Sequence, residues 1–399
     1  MQHRKFKLVE TSDGKNYLVP FLLVTSLFFL WGFAHSILDV LNKHFQETMD
    51  VTKAQSAFVQ AVVYGGYFLM ALPAGSIIKR YGYRTGVLCG LLLYGIGALL
   101  FIPGAEFRSF PFFLFCLFII GCGLTCLETS ANPYVTELGS PDKSESRINL
   151  SQSFNGLGWI CGPLVGSWFV FHGKGDISTP YAIIGVVVLL VAVVFSFVKL
   201  PEVGGDTAET AENAEAGTEK SLWQHRHFVF GLVTLFMYVA AQTGVNSFFI
   251  NYVTEFAHVS SADAALFLSF GGMGLFMLGR MGGSVLMNVV SPQKVLFVCA
   301  VGAILAMIVL LSGAGAMGIG AFFLCYLCES IMFPTIFSLS LRGVGVHTKR
   351  ASSFLIMSIV GGAIAPVLMG LIADNASMSL AFAVPLVCYI IVAAFARKA

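Results

Sequence analysis

Stretches of apolar residues long enough to cross a lipid bilayer recur along this chain. A helix needs roughly 20 such residues to span the hydrocarbon core. Twelve runs of that kind begin near Leu18, Ala57, Gly86, Phe110, Ile148, Tyr181, Phe228, Ala264, Val295, Met317, Ala351 and Leu380. Of the 399 residues, 57% are hydrophobic and only 11% charged, more apolar surface than a soluble core requires. Inside lipid the backbone must satisfy its own hydrogen bonds, so spans of this length are helices. The expected fold is an all-α polytopic membrane protein of twelve transmembrane helices, with the lipid bilayer as its first partner. The basic start and the length of the first run argue against a cleaved signal peptide.

Lys and Arg set the orientation, because cytoplasmic loops carry the excess. With twelve spans both termini share one side. Lys43, Lys53, Arg108 and Lys174 fall on the other side and Arg280 lies near the end of span eight, while every other Lys and Arg falls on the side of the termini. Both termini are therefore expected in the cytoplasm, with the chain multi-pass in the cell's inner (plasma) membrane. The expected segments are a cytoplasmic tail (1–17), a six-helix bundle (18–200), a cytoplasmic linker (201–226) and a second six-helix bundle (227–399). Residues 201–223 are the one long non-apolar stretch, acidic through Glu202, Asp206, Glu209, Glu212, Glu215 and Glu219. Such a segment is expected to be solvated and poorly ordered.

The second half repeats the first weakly. A shift of 208 sets Ser26–Phe29 on Thr234–Met237 and Gly75-Ser76 on Gly283-Ser284. Later the shift changes: Glu128 with Pro133 matches Glu329 with Pro334, and Arg147, Gly158 and Pro163 match Arg350, Gly361 and Pro366. Parallel six-span repeats are a transporter design whose site lies at the midplane between the halves.

Polar groups at membrane depth are costly and mark function by default. Glu128 sits mid-run in GCGLTCLETSANP, residues 121–133, which ends in Asn132 and a helix-opening Pro133. Asp39 lies in the outer half of span one, four residues after His35 and hence on the same helix face; the plainer alternative is an interfacial carboxylate that reaches out to water. Asn149, Gln152 and Asn155 are spaced by three at the start of span five, forming one polar stripe; its plainer alternative is hydrogen-bond glue between helices. Span seven adds Gln242, Asn246 and Asn251. A cavity of acids and amides, with no Lys or Arg mid-span, suits a neutral, hydroxyl-rich solute. Tyr64, Tyr67, Phe154, Phe248 and Phe249 are candidate apolar faces for a sugar ring. The turn GSIIKRYGYR, residues 75–84, is read as a tight basic connection between spans two and three.

Other classes are excluded by what is missing. The nine cysteines all lie in spans, and the Cys325-x-x-Cys328 pair has no second pair and no nearby histidine. Buried thiols fit better than a metal or redox site. Of the eight histidines only His35 is deep, so no nucleophile–base pair points to an enzyme. A net charge of +2 gives no basis for binding nucleic acid. No metal or cofactor is expected, and no catalytic residues.

The stretches LFFLWGF with Asp39, GSIIKRYGYR, CLETSANP, NLSQSFN, AAQTGVNSF, FPTIFSL and SFLIMSIVGGAI resemble the fucose/glucose/galactose permease branch of the major facilitator superfamily, across all twelve spans. The resemblance implies two six-helix bundles and alternating access. It implies proton coupling through Asp39 and Glu128, and sugar contacts from Gln152 and Asn155. The expected activity is proton-coupled import of a neutral monosaccharide, L-fucose first, with glucose, galactose, mannose and N-acetylglucosamine open. The candidate substrate-binding set is His35, Ser36, Asn132, Gln152, Asn155, Gln242 and Asn246. Glu329 is a possible accessory acid. The expected partners are the sugar, protons and lipid, with the protein acting as a monomer. A proton-coupled drug or metabolite antiporter is the competing reading, favoured by the Gly158/Gly162-Pro163/Gly166 run. Sodium coupling is the less favoured alternative.

Overall fold

The computed structural model describes residues 9, 16–139, 144–171, 177–197, 222–287, 289–342, 344 and 348–398. Most of the linker and N-terminal tail read from the sequence therefore lie outside the described residues. The elements among those described are helices. Ten stretches are long and apolar enough to cross a membrane, but one of them, Lys53–Phe107, runs 55 residues. That is far more than one crossing needs. The long helix Phe58–Leu99 within it is broken at Gly82, where φ is 82° and ψ 168°. That backbone region is open to glycine and strained for other residues, so the break falls inside the basic GSIIKRYGYR turn and separates spans two and three. The helix Ser144–Phe171 adds the crossing whose polar stripe lowers its hydropathy.

The twelve spans are then as follows. Span one is Leu18–Thr48. Spans two and three lie on either side of Gly82, span four is Phe110–Glu137, five is Ser144–Phe171 and six is Ser178–Phe197. Span seven is Arg226–Phe256; eight runs from Ser261–Leu266 through a π-helical stretch, Phe267–Met273, to Gly274–Leu286. Nine is Pro292–Leu311, ten is Ala316–Glu329 with Met332–Ser340, eleven is Thr348–Met357 with Gly361–Asn375, and twelve is Met378–Ala381 with Ala383–Lys398.

The spans pack as two six-helix bundles with separate cores. One core is built from first-half residues such as Phe28, Leu91, Leu124 and Phe195. The other is built from second-half residues such as Phe248, Leu296, Phe322 and Tyr389, joined by Val40, Ala57 and Val170 from the first half. Those three lie toward one end of the bundle, the end that carries the Lys53 turn; the opposite end carries Gly82.

Within each half, small residues let helices approach closely. A Cβ on Gly158 would lie 2.4 Å from the Phe29 carbonyl oxygen on span one. A Cβ on its repeat mate Gly361 would likewise lie 2.2 Å from the Phe236 carbonyl oxygen on span seven. This packing of span five on span one accounts for the glycine run that the antiporter reading leaned on.

Candidate functional site

The halves are tied together at the Lys53 end. Asn42 Nδ2 donates to the Ser247 carbonyl at 2.8 Å, and Asn251 Nδ2 to Gln46 Oε1 at 2.5 Å. The backbone N–H groups of Lys53 and Ala54 donate to the two Asp374 carboxylate oxygens at 3.0 and 2.8 Å. Lys53 also pairs with Glu255, and Ser261 donates to Glu47 at 2.7 Å. Below this layer, toward the Gly82 end, lies a cavity of about 470 Å³ between the halves. Its walls are Gln152, Asn155 and Trp159 of span five, Gln242 and Asn246 of span seven, and Phe276, Arg280 and Phe333 of spans eight and ten. The lining continues to Leu150 and Met281, so the cavity extends toward the Gly82 end.

Four of the amides expected from the sequence thus meet in one cavity. Gln152 is part-buried in its wall. Asn155 is more constrained: its Nδ2 donates to the Phe28 carbonyl at 3.1 Å. One end of that amide is therefore packing glue and the other belongs to the cavity. Asn246 is 5% exposed, and its Oδ1 is buried without a protein partner. A polar atom left in that state needs a ligand or water to satisfy it. The Asn149 side chain lies outside the described residues.

The structure moves three expected binding residues out of that wall. Ser36 is fully buried and donates to the Phe33 and Gly158 carbonyls at 3.3 and 3.2 Å, holding span one on span five. His35 sits behind Trp159, its ring stacked on the indole with centroids 6.0 Å apart. Asn132 is part-buried on span four, and its Oδ1 has no protein partner. The aromatic candidates shift as well. Phe248 and Phe249 are fully buried in the second core, Phe154 faces outward, and Tyr64 and Tyr67 pack around His35. Trp159, Phe276 and Phe333 provide the apolar faces instead.

The acids divide between the two halves. Asp39 is 1% exposed; its Oδ1 accepts from Gln60 Nε2 at 2.9 Å and its Oδ2 is buried without a partner. The carboxylate therefore does not reach out to interfacial water in this state. Glu128 is part-buried and stands against the Tyr67 hydroxyl, which lies 3.0 Å from His35 Nε2. Glu329 is fully buried in the second core: its Oε1 accepts from the Tyr389 hydroxyl and from Cys325 Sγ, and its Oε2 has no partner.

Arg280 is the wall residue that sequence reasoning left out. Pro334 has no N–H to give the Ser330 carbonyl four residues earlier, and Arg280 Nε donates to that carbonyl at 3.3 Å. The Tyr238 hydroxyl donates to the neighbouring Glu329 carbonyl at 2.9 Å. The break in span ten thus draws a cation into the wall, its guanidinium over the Phe276 ring at 4.9 Å. The sequence did carry a signal for Trp159, which lies four residues after Asn155 on the same helix face.

The arrangement is a solute-sized cavity between two bundles, closed at one end and flanked by membrane-depth acids. The family model of the Major Facilitator Superfamily matches residues 21–357. The chain belongs to the Major Facilitator Superfamily. Within the superfamily it is 36% identical over 395 residues to a glucose/galactose transporter of Brucella abortus, covering 96% of this chain and 95% of the relative. It is 35% identical over 426 residues to the L-fucose-proton symporter of Escherichia coli, covering all of this chain and 97% of that one. A crystal structure of FucP in the outward conformation superposes with a TM-score of 0.69 at 34% identity, over 96% of this chain and 99% of that one.

Superfamily folds work by exchanging which end is open, so the contacts at the Lys53 end are the ones to break. Asp374→Ala removes the carboxylate that receives two backbone N–H groups of the other half. It is expected to raise the rate at which a membrane-impermeant thiol reagent labels Val40→Cys, a position now 1% exposed. An unchanged labelling rate removes Asp374 from the closure.

Proposed function

We infer that this protein is a proton-coupled symporter that imports a neutral monosaccharide by alternating access. The observation that carries the reading is the cavity between the bundles. Its Gln152, Asn155, Gln242 and Asn246 present donors and acceptors for hydroxyls, and Trp159, Phe276 and Phe333 present faces for a sugar ring. Arg280 adds donors to the same wall. The relatives named as glucose/galactose transporter and L-fucose-proton symporter support the same class. L-Fucose is the first candidate; glucose and galactose are equally compatible with the relatives, and other hexoses and N-acetylhexosamines fit the same chemistry.

The Lys and Arg excess around the Gly82 end supports a cytoplasmic location for that end and for both termini, with the chain in the cell's inner membrane. The division into residues 18–200 and 227–399 supplies the two rocking bodies. On this orientation the state described is closed to the outside and open inward. Sugar and proton enter when the contacts at the Lys53 end part, and leave when they re-form. Asp39, beneath the outer closure, and Glu128, beside the cavity, are the proton carriers in this reading. The chain acts as a monomer and needs no cofactor.

The test is uptake of L-fucose, glucose, galactose, mannose and N-acetylglucosamine into vesicles, with and without a protonophore. Uphill accumulation of at least one sugar that collapses with the proton gradient is expected. Accumulation that survives the protonophore and follows sodium overturns proton coupling; transport of lipophilic cations and no sugar overturns the substrate class.

Gln152→Ala is expected to weaken sugar binding about 5- to 150-fold, since a lost hydrogen bond that leaves a buried partner unpaired costs roughly 1–3 kcal/mol. Expression should be unchanged, because Gln152 holds no neighbouring helix. Asn155→Ala is expected to weaken binding and also to lower thermal stability, because its bond to Phe28 is lost. Binding by purified Gln152→Ala as tight as in the wild type makes the stripe structural.

A further inference from the structure

A continuous set of contacts runs from the cavity wall to Glu128. Trp159 lines the cavity. Its ring lies nearly parallel to His35, at 7° and 6.0 Å between centroids. His35 Nε2 and the Tyr67 hydroxyl are 3.0 Å apart, and the Tyr67 hydroxyl stands against the Glu128 carboxyl. Tyr64 closes the other side of the imidazole, with centroids 5.8 Å apart, and its hydroxyl accepts from Thr243 of the second half at 3.4 Å. His35 is 9% exposed, so its ring is positioned by these neighbours.

We propose that His35 is a positioning residue that couples occupancy of the cavity at Trp159 to the proton on Glu128, acting through the Tyr67 hydroxyl. The inference rests on the symporter reading above. A neutral imidazole has one donor and one acceptor nitrogen, so the chain of bonds runs in one of two directions. With a proton on Glu128, the carboxyl O–H donates to the Tyr67 oxygen and the Tyr67 O–H donates to Nε2. With Glu128 ionised, the Tyr67 O–H turns to the carboxylate and Nε2–H donates to the Tyr67 oxygen. Between the two states the Glu128 proton passes to the Tyr67 oxygen, the Tyr67 proton passes to Nε2 and the Nδ1 proton leaves to water, so the ring stays neutral and one proton is released in all. The ring presents Nε2–H or bare Nε2 to Tyr67 according to the charge on Glu128, and its face packs on the indole a sugar would touch. A sugar that fixes Trp159 and His35 in the second-direction-forbidding pose favours protonated Glu128. By reciprocity, that proton favours the sugar.

The groups that face His35 are Tyr64 and Tyr67 from the adjoining span, Asp39 one turn further along its own helix, and Glu128 through Tyr67. Across the cavity stands Arg280 from span eight, and Tyr238 from span seven is close enough to Tyr64 to interact electrostatically with it. Tyr326 of span ten is close enough to Asp39 to feel its charge. His35 alone among these touches both the wall aromatic and the Tyr67 hydroxyl.

The experiment measures the affinity of the purified, full-length protein for L-fucose, glucose and galactose across a pH series. One proton linked to sugar binding makes affinity fall about tenfold per pH unit above the linked titration. Glu128→Gln provides the flat reference. Tyr67→Phe, which removes one hydroxyl and keeps the ring, and His35→Phe are expected to bind sugar within a few-fold of wild type at low pH but with the slope flattened toward that reference. His35→Gln, which can still bond Tyr67, is expected to restore part of the slope. A merely structural role would lower affinity equally at every pH and leave the slope alone. If His35→Phe fails to fold, Tyr67→Phe carries the test. A wild-type slope that survives in Tyr67→Phe overturns this inference alone; a flat wild type overturns the symporter reading and this inference with it.

Discussion

Glu128→Gln is expected to exchange sugar across the membrane while losing the ability to concentrate it. The amide keeps the size of the carboxyl and imitates its protonated form permanently. If Glu128 must be neutral for loaded carrier to reorient, the variant can turn over loaded in both directions, so counterflow persists. No proton travels with the sugar, so uphill accumulation falls to the equilibrium level. Glu329 occupies the matching position of the repeat but a different environment. It is fully buried in the second core, held by Tyr389 and Cys325, and its own backbone carbonyl is taken by Tyr238. Glu128 stands part-buried beside Tyr67 near the cavity. Glu329→Gln is therefore expected to keep accumulation, with altered affinity or pH optimum at most. Counterflow and uphill uptake, measured for both variants in reconstituted vesicles, decide the matter. Exchange without accumulation in Glu329→Gln, beside normal accumulation in Glu128→Gln, would put the coupling acid in the other half.

Much of the architecture was legible because a bilayer leaves the chain few choices. Apolar runs had to be helices, and their starts near Leu18, Phe110 and Phe228 match helices beginning at Leu18, Phe110 and Arg226. Gly82 could be placed in a turn because charge and glycine coincide there. The amides at Gln152, Asn155, Gln242 and Asn246 converge because amides in lipid must find protein or water. What was not legible depends on which way a helix is rotated. Span seven is apolar on several sides, so Phe248 and Phe249 look the same from sequence whether they face sugar or core. Ser36 shares the first span with His35 and Asp39, yet its hydroxyl is used up on Gly158. Arg280 reads as an end-of-span charge, since its role follows from a carbonyl freed by Pro334 on another helix. A resemblance at the level of motifs carries residue types, and the wall of the cavity is decided by packing between helices that no single motif contains.

Asp39→Asn is expected to abolish active uptake in a protein that inserts and folds normally. The carboxyl lies 1% exposed under the closed Lys53 end, one turn from Asn42, which spans to the Ser247 carbonyl of the other half. Ser247 is also the repeat mate of Asp39, so the first half alone carries an acid at this depth. Oδ1 accepts from Gln60, and Oδ2 is buried with no partner. An ionised carboxylate with one oxygen unsatisfied is costly to bury, and opening the Lys53 end is what returns the group to water. An asparagine keeps the shape and an oxygen for Gln60 but can neither take up nor release a proton. Closure then costs nothing in proton uptake, and the link between the outside pH and the cycle is cut at its first step. Uptake driven by an inward proton gradient should fall to the background of empty vesicles, while the variant's thermal stability stays at or above that of the wild type, because no ionised group is left to bury. Normal accumulation by correctly inserted Asp39→Asn would leave Asp39 as a helix-packing residue paired with Gln60 and nothing more.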